Sequence, residues 1–480
     1  MKRHLFFAAS ILLLAGAVSA CGDSGTGTSG TPEDTADNLS VQENTETEPL
    51  LYGLPEQDFG GAEYHILYCE NFFFSPYDVE QETGEVLDDA AFRRNRTVEE
   101  HFNCDVIYDI LPNCSGDESA QAVRKAVSAG DDLYEIAIVH PYGGLNGLIS
   151  EGYTLDWNTI PRVNFEQPWW NHSFNTALAI GGHLFCASSD FIYFNSGCIY
   201  FNKELLNGLD LENPYQLVDD GTWTWDKLRE LSEKAGQDLN GNGKKDAEDR
   251  YGYSIIKNHR MVPVTYSYGI MSTTFDADGY PVYSNIGSEK MHDAVENYYH
   301  LLYDSPSAWL CNDNELDLFR NGQVLFLHYV TQNIKALRDL PFDFGILPQP
   351  KGSAEQEEYY SLAQSNVMVI PATAEDTEFV GTIIEALSAE SCMNVLPALY
   401  DTTFNNKYLR DEDSIRMFDI IKNSLVYDTI WNYLNGGSFV YFLPTLIGSK
   451  SYDTASFYEK NHKAAETAIR EFYDQTLERA

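Results

Sequence analysis

Tyr134-Glu135-Ile136-Ala137-Ile138-Val139-His140-Pro141-Tyr142-Gly143-Gly144 is the stretch on which the fold turns. A run rich in β-branched side chains stops at a proline and two glycines, so a buried strand ends in a tight turn. Working back from it, Glu118 to Ala129 has helical periodicity and Asp105 to Ile110 reads as a strand. Before those, Leu87 to His101 reads as a helix and Tyr64 to Tyr68 as a strand. Strands alternating with helices of three to four turns build βαβ units on a parallel sheet. The turn at His140 to Gly144 then lies at the carboxyl end of the third strand, the edge where open α/β sheets hold ligands.

Working forward, Cys198 to Asn202 is a further strand, followed by a helix from Thr224 to Gln237. Thr224 is its expected N-cap, Asp226 suits the positive end of the dipole, and Trp225, Leu228, Leu231 and Ala235 recur on one face. Trp223 and Trp225 are therefore assigned to packing. Helices are expected at Lys290 to Asp304 and Glu315 to Asn321, and strands at Val324 to Tyr329 and Phe344 to Leu347. From Asp376 to Ala480 the pattern is almost wholly helical.

The amino terminus says where the chain works. Lys2 and Arg3 precede an apolar run from Leu5 to Leu14, and Val18-Ser19-Ala20-Cys21 follows. That is the layout of a secretory signal, and the Cys placed after the cleavage site resembles the lipobox of bacterial lipoproteins, with Cys21 carrying the lipid. Gly22 to about Pro49 has too few large apolar side chains to bury a core and reads as a flexible tether. About 430 residues remain, more than one core usually organises, so two lobes are expected. No later apolar stretch is read as a membrane span.

The formal net charge is −42, and −44 once Lys2 and Arg3 leave with the signal. Such a surface repels phosphate backbones, which excludes nucleic acid as a partner. Seven cysteines besides Cys21 are scattered without a C-x-x-C. Most are expected to be buried small hydrophobes, with Cys104 and Cys114 a possible pair.

Six landmarks follow in order. They are Gly182-His183-Leu184-Phe185; Ile199-Tyr200-Phe201-Asn202-Lys203-Glu204-Leu205-Leu206; Thr222-Trp223-Thr224-Trp225-Asp226-Lys227-Leu228; Leu318-Phe319-Arg320-Asn321-Gly322-Gln323-Val324; Gly345-Ile346-Leu347-Pro348-Gln349-Pro350-Lys351-Gly352; and Val369-Ile370-Pro371-Ala372. In this order and spacing the chain, from about Tyr64 onward, resembles the extracellular solute-binding proteins of bacterial ABC importers, in the branch that includes the maltose-binding protein. The resemblance implies an α/β, two-lobe periplasmic-binding-protein-like (type II) fold with hinge crossovers and a helical C-terminal part. It places crossings near Ser188 to Phe194, Leu327 to Tyr329 and Asn366 to Ile370. Lobe one is then 51–190 plus 329–367 and lobe two 191–328 plus 368–480, after a signal of 1–20 and a tether of 21–50. Phe72 to Asp88 and Pro161 to Ala179 are longer and more aromatic than the family's minimum, so pocket residues do not transfer directly.

Asp238-Leu239-Asn240-Gly241-Asn242-Gly243-Lys244-Lys245-Asp246-Ala247-Glu248-Asp249 has the spacing of a calcium loop. Oxygens of Asp238, Asn240 and Asn242 converge because Gly243 permits the sharp turn; Lys244 offers its carbonyl, Asp246 acts through water, and Asp249 closes the loop. Asp in place of Glu at the last position weakens the site. A structural calcium ion is expected there, against the alternative of a solvated turn. No organic cofactor is expected.

No H-E-x-x-H, G-x-S-x-G or dinucleotide fingerprint is present, so nothing argues for an enzyme. The aromatic weight, with 31 Tyr, 26 Phe and 7 Trp, suits the flat faces of sugars. Candidate ligand contacts are His140 and Tyr142 after the third strand; Trp169 and Trp170 in the irregular segment between lobes; Asp190, Tyr193 and Tyr329 at proposed crossings; Tyr266 and Tyr268 at the start of a lobe-two helix; and Trp431 and Tyr433 in the C-terminal helices. The reading is a monomeric lipoprotein on the outer face of the cytoplasmic membrane that captures a small solute, a sugar or oligosaccharide, for an ABC permease. Its rivals are a ligand-sensing partner of a membrane receptor and a secreted glycoside hydrolase.

Overall fold

The computed structural model describes residues 51–70, 79–112, 114, 116–313, 316–337, 339–400, 411–434 and 439–480. The expected signal, Cys21 and tether lie outside the described residues. Thirteen strands are described: β1 Ala62–Cys69, β2 Cys104–Leu111, β3 Ile136–Val139, β4 Gly197–Asn202, β5 Tyr251–Ile256, β6 Thr274–Phe275, β7 Pro281–Val282, β8 Ala308–Cys311, β9 Val324–Val330, β10 Phe344–Leu347, β11 Ser361–Leu362, β12 Val367–Val369 and β13 Leu425–Val426.

Two sheets organise them. The first runs β12-β3-β1-β2 and the second β10-β4-β9-β5-β8. In the first, β1 is parallel to β2 and β3, as the βαβ pattern demands, and β12 returns antiparallel on β3. In the second, β4 is antiparallel to β9 and β10, and β5 is parallel to β8 and β9. All seven residues of β9 are buried, as expected of a central strand covered on both faces.

The helices Val86–Phe102 and Glu118–Ala129 connect β1 to β2 and β2 to β3. Thr224 caps the helix Trp225–Ala235 through its hydroxyl, which accepts from the Lys227 N–H at 3.2 Å. Trp223 and Trp225 are fully packed, as assigned, each donating its indole N–H, to the Pro348 carbonyl and the Ser267 hydroxyl at 2.9 Å. One apolar cluster covers a face of the first sheet through Tyr64, Ile66, Trp157 and Ile383. Another runs from Val139 and Leu145 through Trp431 into Cys198 and Trp225, so the two lobes share a continuous core.

The lobe bounds differ from those the resemblance implied. Phe344–Leu347 pairs with β4 and so belongs to lobe two, not lobe one. Residues 368–369 belong to β12 in the first sheet, and the helix Thr377–Glu390 packs beneath that sheet, so lobe one extends well past 367. Leu327 to Tyr329 is no crossing, because it lies inside β9. The chain crosses at 188–196 and returns at 363–366, where the two passages bond to one another, Gln364 N–H to the Asn195 carbonyl at 2.7 Å and Ser196 bridged to Ala363.

Cys104 does not pair with Cys114. The disulfide joins Cys69 to Cys114, with Cα atoms 5.7 Å apart. Parallel pairing puts Cys69 opposite Leu111, three residues before Cys114, whereas Cys104 sits at the other end of β2, about 23 Å away along an extended strand. The other described cysteines are unpaired, and four of those five are buried.

The segment Thr377–Leu399 is long and apolar enough to cross a membrane by composition alone, which the sequence reading did not anticipate. Here it is mostly buried inside the protein, because both its faces meet lobe one. Gly381 shows how tightly: a Cβ there would fall 1.8 Å from the Pro161 carbonyl oxygen. Gly381→Ala is expected to cost about 2 kcal/mol by overpacking, read as a lower urea midpoint with an unchanged m-value.

Candidate functional site

The carboxyl ends of β3 and β5, one in each lobe, place the groups most able to hold a ligand. After β3 the chain makes a 3-10 turn at Pro141–Gly143, closed by the Gly143 N–H on the His140 carbonyl at 2.8 Å. Glycine is required at 143, since a Cβ would stand 1.8 Å from the Gly116 carbonyl oxygen. Gly116 lies two residues beyond Cys114. The disulfide to the end of β1 and this backbone contact therefore brace the His140 turn from its side.

After β5, Asn258 caps a second 3-10 turn, His259–Met261, by accepting from the Arg260 N–H at 2.9 Å. His140 and His259 consequently approach across the lobes. Burial pushes His140 down to about 3, and the charge of His259 adds to the effect. Burial likewise pushes His259 down to about 4, with Arg260 adding to it. Both imidazoles are neutral at neutral pH, so each offers one donor and one acceptor. The Arg260 guanidinium carbon stands 4.4 Å from the centroid of the Tyr329 ring, and the Tyr329 hydroxyl accepts from the Asn333 amide at 3.2 Å. His140 and Arg260 are half-buried and His259 is exposed, beside the buried Tyr329 ring. Imidazoles, a guanidinium and an aromatic face suit a polyhydroxylated or polar ligand better than an apolar one.

A cavity of about 350 Å³ lies elsewhere between the lobes. β12 forms the edge of the first sheet, with β3 and β1 inward of it. Trp170 is bridged to Ser189 on the outward side of that edge. The cavity is lined by this outward segment, by Asp190 and Tyr193 on the crossing, by Gln332, and by Phe418 and Lys422 of the helix Glu412–Asn423. It thus sits on the other side of the crossing segments from the His140 turn.

The residues singled out from the sequence separate into three groups. His140 and Tyr329 stand with the opposed turns. The Tyr142 backbone belongs to the same turn, while its side chain lies outside the described residues. Trp170, Asp190 and Tyr193 line the outward cavity. Trp169, Tyr266, Tyr268, Trp431 and Tyr433 are core: all are at least nine-tenths buried and tied into neighbouring elements. Trp169 donates its indole N–H to Glu385 at 3.0 Å, and the Tyr433 hydroxyl donates to the Leu178 carbonyl at 2.5 Å. Tyr266 and Tyr268 end the helix Pro263–Ser267 instead of beginning one. The sequence reading missed His259 and Arg260 because Tyr251–Ile256 was not recognised as a strand. The rule that selected His140, a polar residue just past a buried strand, selects them equally well.

In the loop 238–249, Asp238 accepts from the Gly241 and Gly243 N–H groups at 2.7 and 2.8 Å. Asn240 and Asn242 turn their amide donors onto Asp246, at 3.2 and 2.7 Å. Asp249 is buried and accepts from the Leu239 N–H at 3.1 Å. Gly241 and Gly243 both adopt φ of 70°, which the turn requires and L side chains rarely allow. The loop is anchored to lobe two by Lys245, whose ammonium donates to the Ser305 carbonyl at 2.6 Å. A cation at its centre is compatible with Asp238, Asp246 and Asp249, and with Asn240 and Asn242 once their amides rotate.

No family model and no curated protein matches the chain. Solved structures do. An ABC substrate-binding protein from Listeria monocytogenes, in complex with cycloalternan, superposes with a TM-score of 0.57 at 14% identity, covering 86% of this chain and 98% of that one. A cyclic alpha-maltosyl-1,6-maltose binding protein from Arthrobacter globiformis gives 0.61 at 14% identity, over 85% and 99%. UgpB from Mycobacterium tuberculosis, in complex with glycerophosphocholine, gives 0.55 at 14% identity, over 88% and 99%. With two α/β sheets, paired crossings and opposed turns already in place, this likeness settles the architecture: the chain has the two-lobe, periplasmic-binding-protein-like fold of ABC solute-binding proteins.

Proposed function

We propose that this protein captures a small solute, a sugar or oligosaccharide, between its lobes and delivers it to the permease of an ABC importer, held at the outer face of the cytoplasmic membrane by a lipid on Cys21. The observation that carries the reading is the pair of opposed turns, with His140 of lobe one close enough to His259 of lobe two to feel its charge, and Arg260 next to His259 stacked on Tyr329. A ligand that touches both turns favours the closed arrangement of the lobes, a population shift in which no bond is made or broken. The sugars bound by similarly folded proteins support the ligand class, and neutral imidazoles beside Tyr329 are suited to hydroxyl groups and sugar faces. Calorimetric titration with maltotriose, cyclic maltosaccharides and glycerophosphocholine tests it. Micromolar or tighter binding of a saccharide, recovered intact, is expected; binding of glycerophosphocholine alone would replace the sugar, and turnover would replace the capture mechanism.

The loop 238–249 is proposed to take calcium as a brace for lobe two. At ten times its dissociation constant, calcium contributes about 1.4 kcal/mol, or roughly 2 °C in melting temperature for a chain of this size. Asp238→Ala is expected to abolish that shift, and an equal shift in the variant would remove the ion from this loop.

A further inference from the structure

We propose that the C-terminal helix, Thr454–Leu477, is a tie across the two lobes whose last turn works as a latch, engaged when the lobes lie together and released when they part. Its 24 residues give it a length of about 36 Å, enough to reach from one lobe to the other. The body of the helix is rooted in lobe two. Thr454 meets His292 at 3.3 Å, and the Tyr458 ring stacks on that of Tyr283 with centroids 6.2 Å apart. Arg470 pairs with Asp276 at 3.1 Å, and Asp474 accepts from the Tyr280 hydroxyl at 2.7 Å. The helix Glu289–Tyr303, which carries His292, packs on β8 and on the helix Trp225–Ala235, so this root moves with lobe two.

One turn further on, the helix touches lobe one. Leu477 lies against Gly181, where a Cβ would stand 2.4 Å from its Cδ2, and the Arg479 stem lies along Gly152. Both glycines are tied to the first sheet's lobe. Tyr153, next to Gly152, accepts the Ala372 N–H at 2.9 Å, and Leu184, just past the Ile180–His183 turn, accepts the Trp157 N–H at 2.7 Å. The same end of the helix packs on Leu145–Ser150, the first helix after the His140 turn. The two grips are unequal. The one on lobe two combines rings, an ion pair and hydrogen bonds spread along the helix. The one on lobe one is a half-buried leucine and an exposed arginine at a helix end, where backbone order is weakest. A motion that parts the lobes therefore breaks the Leu477 contact first and leaves the root in place. While engaged, the latch raises the share of the closed arrangement before any solute arrives, so a saccharide is held longer. Only that last consequence rests on the capture reading.

The test is solution scattering of the ligand-free protein and three variants. Leu477→Ala and a chain ended after Asp474 each remove the grip on lobe one, and each is expected to raise the radius of gyration. Arg470→Ala, which loosens the helix on lobe two alone, is expected to lower the melting temperature and leave the radius as it is. Circular dichroism melting identifies either latch variant that fails to fold, and the other then carries the comparison. An unchanged radius in the folded latch variants overturns the proposal. So does an equal rise in Arg470→Ala, which would mean general loosening and no latch. Where a saccharide binds, Leu477→Ala is expected to release it about tenfold faster, and release at the native rate also counts against the latch. A protein that binds no saccharide fails the capture reading and leaves the scattering comparison to decide this proposal alone.

Discussion

Replacing Glu385 by Leu is expected to lower the unfolding free energy by about 3 kcal/mol, the combined cost of orphaning several buried donors. Glu385 lies in the helix Thr377–Glu390 and is 2% exposed. It accepts the indole N–H of Trp169 at 3.0 Å, that of Trp170 at 2.8 Å and the backbone N–H of Asn164 at 3.2 Å. One carboxylate thus pins the lobe-one segment 164–170 to the helix under the first sheet. Burial pushes its carboxyl up to about 7, against the pull of the Trp170, Asn164 and Trp169 donors in the other direction.

That shift fixes a sign. A carboxyl whose folded value lies above its unfolded value binds its proton more tightly when folded. Stability from this group is therefore full below about pH 4 and falls as pH rises toward 7, by about 3 kcal/mol. Above that the contribution is flat. Urea denaturation followed by tryptophan fluorescence at pH 5 and pH 8 reads the difference directly. Glu385→Gln keeps the shape, orphans one donor and removes the titration, so its two curves differ less than those of the native chain. Equal pH dependence in the two proteins would show that another group is responsible.

Arg260→Ala is expected to weaken saccharide binding by roughly 30-fold, about 2 kcal/mol, the usual worth of a charge-assisted hydrogen bond. The side chain is fixed from two sides: the Asn258 cap sets the turn, and the Tyr329 ring lies beneath the guanidinium. Tyr329→Leu, which keeps the bulk and removes the π-face, is expected to lose less. Trp431→Phe is expected to leave affinity nearly unchanged, since Trp431, although its helix Thr429–Tyr433 packs against the Pro141–Gly143 turn, is itself buried in the core. Titration of the three variants ranks them. If Trp431→Phe cost more than Arg260→Ala, the ligand would have to lie against the C-terminal helices.

Much of this was legible in the sequence, and for identifiable reasons. The βαβ unit from Tyr64 to Val139 declared itself through strong periodicity, and Glu118–Ala129 occurs with the expected ends. Strand β5 was hidden because Tyr251-Gly252-Tyr253 puts a glycine at its second position. Gly252 is there because a Cβ would meet the Ser232 backbone at 2.2 Å, a tertiary reason no local pattern reveals. The return of β12 to lobe one is equally non-local: three buried residues, Val367–Val369, carry no mark of which sheet they join. The candidate site suffered from the same limit. Aromatic residues at loop ends were sound suspects, but Trp169, Tyr266 and Tyr433 became core once helices covered them, and only the pairing of β5 with β8 and β9 brings Arg260 into view.

Solution scattering of the protein with and without a bound saccharide bears most directly on the claim that two lobes close on a solute between the His140 and His259 turns. The prediction is a smaller radius of gyration on saturation, a change that Arg260→Ala shifts to higher saccharide concentration in step with its weaker binding. A saccharide that binds tightly while the scattering curve of the ligand-free protein stays the same would contradict it.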